Sequence, residues 1–109
     1  MPTTYKVLGQ SNPSATTATT LYTVPAATQT IVSTITVCNQ AATAATYRIA
    51  VRIAGAALAA AQYVAYDVSL PGNATDTLTL GVTLGATDVI TIYASSANFS
   101  FNAYGSEIS

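Results

Sequence analysis

Residues 75–94, TDTLTLGVTLGATDVITIYA, decide how the rest of the chain is interpreted. Leu78, Leu80, Val82 and Leu84 occupy every second position, with threonine or glycine between them. Because successive side chains of a strand point to opposite faces, this spacing predicts one apolar face and one polar face. The sequence GATD after Leu84 is typical of a turn, and β-branched residues resume beyond it. The stretch therefore predicts a β-hairpin whose apolar face needs further strands to cover it.

Further strands are expected on both sides of this hairpin, because β-branched runs and period-two alternation recur between turn residues. The predicted strands cover residues 4–8, 21–24, 30–38, 46–53, 62–70 and 98–104. Residues 54–61, AGAALAAA, are expected to be a loop with at most one helical turn. Gly81 interrupts its strand and predicts a bulge or a corner. About eight short strands without a helix indicate an all-β fold, an antiparallel β-sandwich that is jelly-roll-like or immunoglobulin-like.

The alternation also predicts which side chains face the core of this sandwich, since one face of each strand is apolar. The expected core positions are Ile31, Ile35, Val37, Tyr47, Ile49, Val51, Ile53, Val64, Tyr66, Val68, Leu70, Phe99 and Phe101.

The chain is short and nearly uncharged. Its 109 residues predict a single domain, residues 1–109. Within it, residues 1–20 contain the low-complexity sequence GQSNPSATTATT and are expected to be either a surface connection or an extended arm that orders against a neighbouring subunit. Charged residues make up 6%, against about 25% in an ordinary soluble domain, and the net charge is −1. So few charges oppose self-association weakly, and the composition indicates a protein that works inside an assembly.

Several classes of partner are excluded by the same composition. Three basic residues cannot form the positive stripe that a phosphate backbone requires, so nucleic acid is not an expected partner. No apolar run reaches the roughly 20 residues of a transmembrane helix, and no apolar segment follows the N-terminal MPTT, so neither a membrane partner nor a signal peptide is expected.

The residues that usually carry chemistry are scarce. The chain has no histidine, which removes the commonest general base and metal ligand, and Cys38 is its one cysteine. Asp76 and Asp88 are expected in turn chemistry, too far apart for a glycosidase pair. We therefore expect no catalytic site, no cofactor and no metal, although a calcium ion in the loop near Asn73 or Asp76 stays an open alternative.

Two groups of residues are candidates for an interface. Arg48 and Arg52 lie four positions apart on one predicted strand and share a face, so they either interact with solvent or pair with acids of a neighbouring subunit. Four tyrosines have no clear inward position, and tyrosine suits half-buried interfaces. These tyrosines are Tyr5, Tyr22, Tyr93 and Tyr104.

Several longer segments carry a resemblance. They are LYTVPAATQTIVSTITVCNQ at residues 21–40, TYRIAVRIAG at residues 46–55, LPGNAT at residues 70–75, GVTLGATD at residues 81–88 and ASSANFSFNAYGSEI at residues 94–108. Together they resemble a family of small virion structural proteins of tailed bacteriophages, notably cyanophages. The resemblance covers about residues 5–108, and none of its segments carries catalytic residues.

This resemblance implies a non-enzymatic virion protein that is assembled in the host bacterial cytoplasm. We expect a capsid decoration, or cement, protein that forms homo-oligomers such as trimers and binds another virion protein such as the major capsid protein. A component of the tail, neck, baseplate or a fibre is an alternative, and so is a module that binds a host glycan. The glycan-binding alternative predicts exposed aromatic residues clustered in loops. Five tyrosines fall in predicted strands instead, which argues against this alternative: Tyr22, Tyr47, Tyr63, Tyr66 and Tyr93.

Overall fold

The computed structural model describes residues 2–109, in which the predicted β-sandwich is confirmed. Within these residues no helix is long and apolar enough to cross a membrane. The strands are β1 (Thr3–Ser11), β2 (Thr19–Thr23), β3 (Gln29–Asn39), β4 (Ala45–Arg52), β5 (Tyr63–Leu70), β6 (Thr75–Leu78), β7 (Val82–Leu84), β8 (Val89–Ala94) and β9 (Phe99–Ile108). The connection between β4 and β5 was expected to be a loop with at most one helical turn, and it contains two single-turn 3₁₀ helices, Ile53–Gly55 and Ala60–Gln62.

The strands form two antiparallel sheets with a jelly-roll strand order. One sheet has five strands in the order β1-β9-β3-β6, with β7 also paired to β3, and the other has four in the order β2-β8-β4-β5. Because β6 and β7 pair with successive parts of β3, they act as one interrupted strand. With these two counted together, each sheet has four strand positions, and their order is that of a jelly roll and not that of an immunoglobulin domain.

The strand pairs are nested around the connection between β4 and β5. Moving outward from it, β3 pairs with β6 and β7, β2 pairs with β8, and β1 pairs with β9. The two ends of the chain therefore meet in one sheet, where the backbone N–H of Ser109 donates to the carbonyl of Pro2 at 3.1 Å.

The hairpin predicted for residues 75–94 is wrong. The first half of the stretch pairs with β3 in the five-stranded sheet, whereas β8 pairs with β2 and β4 in the other sheet. The turn at residues 85–88 thus carries the chain across the sandwich. The bulge or corner predicted at Gly81 is present as a break between β6 and β7, where Gly81 has a φ of 63° and Leu80 is 44% exposed.

The extended arm considered for residues 1–20 is wrong for residues 3–11, which form a strand paired with β9 along its length. Residues 12–18 connect this strand to β2, and the side-chain amide of Asn12 holds the connection by donating to the carbonyl of Ala97 at 2.9 Å. Met1 lies outside the described residues.

Two bulges overturn part of the predicted core. In β3 the register with β9 shifts between Val32 and Thr34, so the strand changes face and Ile31 lies outside, 41% exposed. In β5 two residues lie opposite Arg48, and the predicted core residues Val64 and Tyr66 are exposed instead. A bulge inserts one residue into the alternation, so every prediction beyond it moves to the opposite face.

The remaining core predictions hold apart from Ile53, which is 73% exposed beyond the end of β4. Tyr47, Phe99 and Phe101 pack between the sheets as a tilted and edge-to-face aromatic group, with ring centroids 6.2–6.3 Å apart. The other confirmed positions are Ile35, Val37, Ile49, Val51, Val68 and Leu70, of which Val51 and Val68 are half-buried.

Candidate interface and ligand-binding surfaces

The six residues predicted for an interface lie in three different places. Tyr5 and Tyr104 share the outer face of the five-stranded sheet. Arg48, Arg52 and Tyr93 lie on the outer face of the four-stranded sheet, because Arg48 is the register partner of Tyr93. Tyr22 lies between the sheets.

The outer face of the five-stranded sheet carries an uncharged apolar patch, which we name the neutral face and define as Tyr5, Val7, Ile31 and Tyr104. Tyr5 and Ile31 lie in register with the same residue of β9, Ser106, and Val7 lies in register with Tyr104. Tyr5 is 83% exposed and Val7 is 48% exposed. The nearest charges, Lys6 and Glu107, alternate to the other face and form an ion pair of 3.1 Å there. The neutral face is therefore a surface suited to contact another protein.

The interface prediction is wrong for Tyr22, which is 7% exposed. Its hydroxyl lies 2.8 Å from Oγ1 of Thr30 and donates to Oε2 of Glu107 at 2.5 Å. Burial, followed by the hydrogen bond to the Glu107 carboxylate, raises the pKa of Tyr22 to about 12. Tyr22 therefore stabilises the sandwich itself and offers nothing to a partner.

Arg48 is the centre of a second surface feature. Its guanidinium carbon lies 4.2 Å from the ring centroid of Tyr66 and 4.4 Å from that of Tyr93, so the cation is held between two aromatic rings. Its Nε donates to Oδ1 of Asp67 at 2.6 Å, and this hydrogen bond raises the pKa of the Arg48 guanidinium. Tyr63 packs edge-on against Tyr66, with centroids 4.9 Å apart. We name Arg48, Tyr63, Tyr66, Asp67 and Tyr93 the arginine–tyrosine cluster.

The bulge in β5 builds this cluster. Tyr47 is in register with Val68 and Ile49 with Ala65, so Tyr66 and Asp67 together occupy the place opposite Arg48. Asp67 adopts a φ of 49°, a left-handed conformation that costs a residue with a side chain about 1–3 kcal/mol. This backbone turns two consecutive side chains toward one arginine, which regular alternation cannot do.

Arg52 has a separate role on the same face. Its Nη2 donates to the carbonyl of Gly55 at 2.9 Å and its Nε to that of Ala56 at 2.7 Å. Arg52 therefore fixes the connection between β4 and β5 against the sheet. Both arginines have partners within the chain, so the predicted pairing with acids of a neighbouring subunit is not needed to explain either of them.

A cleft of about 560 Å³ opens beside the cluster. It is lined by Leu58, Ala59, Ala60, Tyr63 and Tyr66. A smaller cavity of about 230 Å³ adjoins it, because Leu58 and Tyr63 line both, and it reaches Arg48 and Tyr93. The two cavities form a mostly apolar cleft that reaches Arg48, the ion-pair partner of Asp67.

Asp76 and Asp88, for which the sequence predicts turn roles, both have hydrogen-bond partners within the chain. The turn role predicted for Asp88 is confirmed, since its carboxylate accepts from the backbone N–H groups of Gly85 and Ala54 at 2.8 Å. The turn role predicted for Asp76 is wrong, because Asp76 lies within β6 and accepts a hydrogen bond from the hydroxyl of Tyr47 at 2.8 Å. Within residues 2–109 no three cysteine or acidic side chains lie close enough to hold a metal ion.

Sequence reasoning missed Leu58, Tyr63, Tyr66 and Asp67 as site residues. Tyr66 was assigned to the core, and Asp67 had no assigned role. Only the bulge in β5 places Tyr66 and Asp67 next to Arg48, and no local sequence pattern predicts this bulge. The one signal that the sequence offers is the spacing of two tyrosines and an aspartate within residues 63–67, in the predicted strand that follows the one with Arg48.

Comparison of the chain with known protein families, curated proteins and solved structures found no match, so its resemblance to phage virion proteins stays a prediction.

Proposed function

We propose that this protein is a non-enzymatic structural component of a tailed-bacteriophage virion. In this proposal it decorates the head, where copies bind one another and the major capsid protein through the neutral face. The observation that carries the proposal is the exposed, uncharged row formed by Tyr5, Val7 and Ile31 on one sheet. Viral capsid proteins are among the known users of the jelly roll, although a fold alone does not determine a function.

The size of the neutral face fits a lattice better than an isolated dimer. Fully burying an apolar side chain contributes about 1.5–3 kcal/mol, while association costs about 4–15 kcal/mol. Three or four partly exposed side chains only offset that cost. In a repeating shell each copy makes several weak contacts. The later contacts cost less entropy than the first, because they form within an existing assembly.

The location is tested by counting copies. Quantitative mass spectrometry of purified particles whose genome encodes this chain should find hundreds of copies per particle. About a dozen copies or fewer would place the protein in the tail, neck, baseplate or a fibre. Its absence from the particles would overturn the proposal.

The surface is tested by the double substitution Tyr5→Glu with Val7→Glu. We expect it to abolish self-association in sedimentation velocity and binding to undecorated heads, with an unchanged circular dichroism spectrum. Ile53→Glu is the matched control, because Ile53 is 73% exposed and lies beyond the end of β4 in the other sheet. Equal assembly of the double variant and the control would show that the neutral face is not the contact.

A further inference from the structure

We propose that the cleft beside the arginine–tyrosine cluster binds a neutral carbohydrate. A pyranose ring would lie against Tyr63 and Tyr66, and two adjacent hydroxyl groups would bind the Arg48–Asp67 pair. This inference is independent of the proposed place in the virion, since it concerns the opposite sheet.

The apolar half of the site is already formed without a ligand. Tyr66 is 57% exposed although Arg48 covers one side of its ring, and Tyr63 fixes the ring from its edge. Leu58 adds an apolar side chain to the lining of the cleft. A volume of about 560 Å³ lies within the range of known ligand pockets, about 300–1,000 Å³, and accommodates a small oligosaccharide.

The polar half offers donors and acceptors side by side. Arg48 uses Nε and Nη2 for Asp67, and its Nη1 makes no hydrogen bond with any group of residues 2–109. The side chain of Asp67 is 45% exposed, and a carboxylate accepts more hydrogen bonds than the two from Arg48. A sugar hydroxyl both donates and accepts, so two neighbouring hydroxyls match one guanidinium nitrogen and one carboxylate oxygen.

The backbone strain at Asp67 indicates that the Arg48–Asp67 ion pair has a function beyond stability. Exposed ion pairs contribute little to stability, yet Asp67 is held in a left-handed conformation to reach Arg48. Strained residues on an otherwise regular strand are concentrated at binding sites. The strain and the cleft are separate observations that point to the same place.

Charge selects a neutral ligand over the alternatives. Asp67 balances Arg48, so an anion gains no net attraction, and Arg48 already occupies the cation position between Tyr66 and Tyr93. A proline-rich peptide could lie on the tyrosines, but it would leave the donor and acceptor of the charged pair unused. The combination of aromatic faces with a fixed donor and acceptor favours a sugar.

The experiment is a nuclear magnetic resonance titration of the ¹⁵N-labelled chain with neutral oligosaccharides of glucose, galactose, mannose and N-acetylglucosamine. At millimolar concentration we expect at least one series to shift the amide signals of residues 58–67 and of Tyr93. Tyr66→Ala should weaken binding about tenfold or more, equivalent to about 1.4 kcal/mol. Asp67→Asn, which tolerates the left-handed backbone, should weaken it as well.

Leu80→Ala is the matched control, because Leu80 is 44% exposed between β6 and β7, lines neither cavity and lies outside the neutral face, and this variant should bind with unchanged affinity. The proposal is overturned if none of the four series shifts these signals, if Tyr66→Ala binds like the original chain, or if only sialylated glycans or a proline-rich peptide bind at the cleft. Copy number in particles has no bearing on these outcomes, so the two proposals fail separately.

Discussion

The hydroxyl of Tyr22 donates a 2.5 Å hydrogen bond to Oε2 of Glu107 and so joins β2 of one sheet to β9 of the other. Thr30 of β3 lies 2.8 Å from the same hydroxyl, and Nζ of Lys6 in β1 lies 3.1 Å from the second carboxylate oxygen. The Glu107 carboxylate and the Tyr22 hydroxyl together therefore connect four strands of the sandwich. Because Tyr22 and Glu107 have shifted pKa values, the connection has consequences that can be measured.

Stability should fall in acid because of Glu107. The hydrogen bond from Tyr22 lowers the pKa of Glu107 below 4.5, assisted by Lys6 and opposed by partial burial. A lowered folded-state pKa gives stability that is present above the unfolded-state pKa and is lost as pH falls through the folded one. We expect the original chain to be more stable than Glu107→Gln in urea unfolding at about pH 6, with the gap closing toward about pH 3.

The other carboxylates are common to both chains, so the difference isolates Glu107. A gap that stays constant over this pH range would contradict the assignment.

Stability should also fall in alkali because of Tyr22. Burial is the main reason that the pKa of Tyr22 rises from 10.0 to about 12. A raised folded-state pKa gives stability that is complete below the unfolded-state pKa and is lost as pH rises through the folded one. At neutral pH, Tyr22→Phe should lose about 1.5–3 kcal/mol, the usual contribution of a hydrogen bond to a charged group.

This deficit of Tyr22→Phe should shrink between pH 10 and about pH 12, as measured by the midpoint of chemical unfolding. Tyr47→Phe should also lose stability at neutral pH and show a smaller deficit in alkali, because burial and the hydrogen bond to Asp76 raise the pKa of Tyr47 as well. A Tyr22→Phe deficit that is independent of pH would refute the prediction.

The buried amide of Asn39 should be essential to the end of the sandwich that holds the β5–β6 turn. Its Nδ2 donates to the carbonyls of Thr43 at 3.0 Å, Leu70 at 3.1 Å and Pro71 at 3.3 Å. Asn39→Ala leaves the buried carbonyl of Leu70 without this donor, at a cost of about 1–3 kcal/mol. Asn39→Asp should be worse at neutral pH, because a carboxylate would face the same carbonyl oxygens.

Thermal or urea unfolding measures both changes. Gln40→Ala is the control, since its exposed bond to Ser100 should contribute within about 0.5 kcal/mol. An Asn39→Ala variant as stable as Gln40→Ala would show that the amide is dispensable.

Any side chain at Gly105 should destabilise the fold, because there is no room for it beside the backbone of β3. A methyl group added there would lie 2.0 Å from the carbonyl oxygen of Ile31 in β3. Gly105→Ala must therefore push β9 away from β3, and we expect a loss of about 1–3 kcal/mol in urea unfolding. At Gly85 the nearest atom to an added methyl group is 3.7 Å away, so Gly85→Ala should be nearly neutral. Equal effects of the two substitutions would contradict this explanation.

The positions of most strands could be predicted from the sequence because β-branched runs and turn residues act locally. The run at residues 30–38 became β3, and the alternation at residues 46–53 became β4 with Tyr47 and Ile49 buried. The jelly-roll alternative was among the predicted folds. Choosing it over an immunoglobulin-like sandwich requires strand pairing, which composition does not encode.

The errors have two physical causes. A turn sequence such as GATD states that the chain reverses, but not that the strands on either side pair, and here they belong to different sheets. A bulge depends on the partner strand, so the changes of face at Ser33 and Asp67 could not be anticipated. The arginine–tyrosine cluster could not be predicted for the second reason, although Arg48 and Tyr93 are among the residues predicted for an interface.

The hydrogen bond between Ser109 and Pro2 has a practical consequence. A short glycine-rich linker would join these residues without strain, and new termini could be opened in the exposed turn at residues 95–98. In such a circular permutant β9 and β1 become a local hairpin in place of the most distant pair in the chain. The permutant should then reach its native state faster than the parent, since shorter loops close at lower entropic cost.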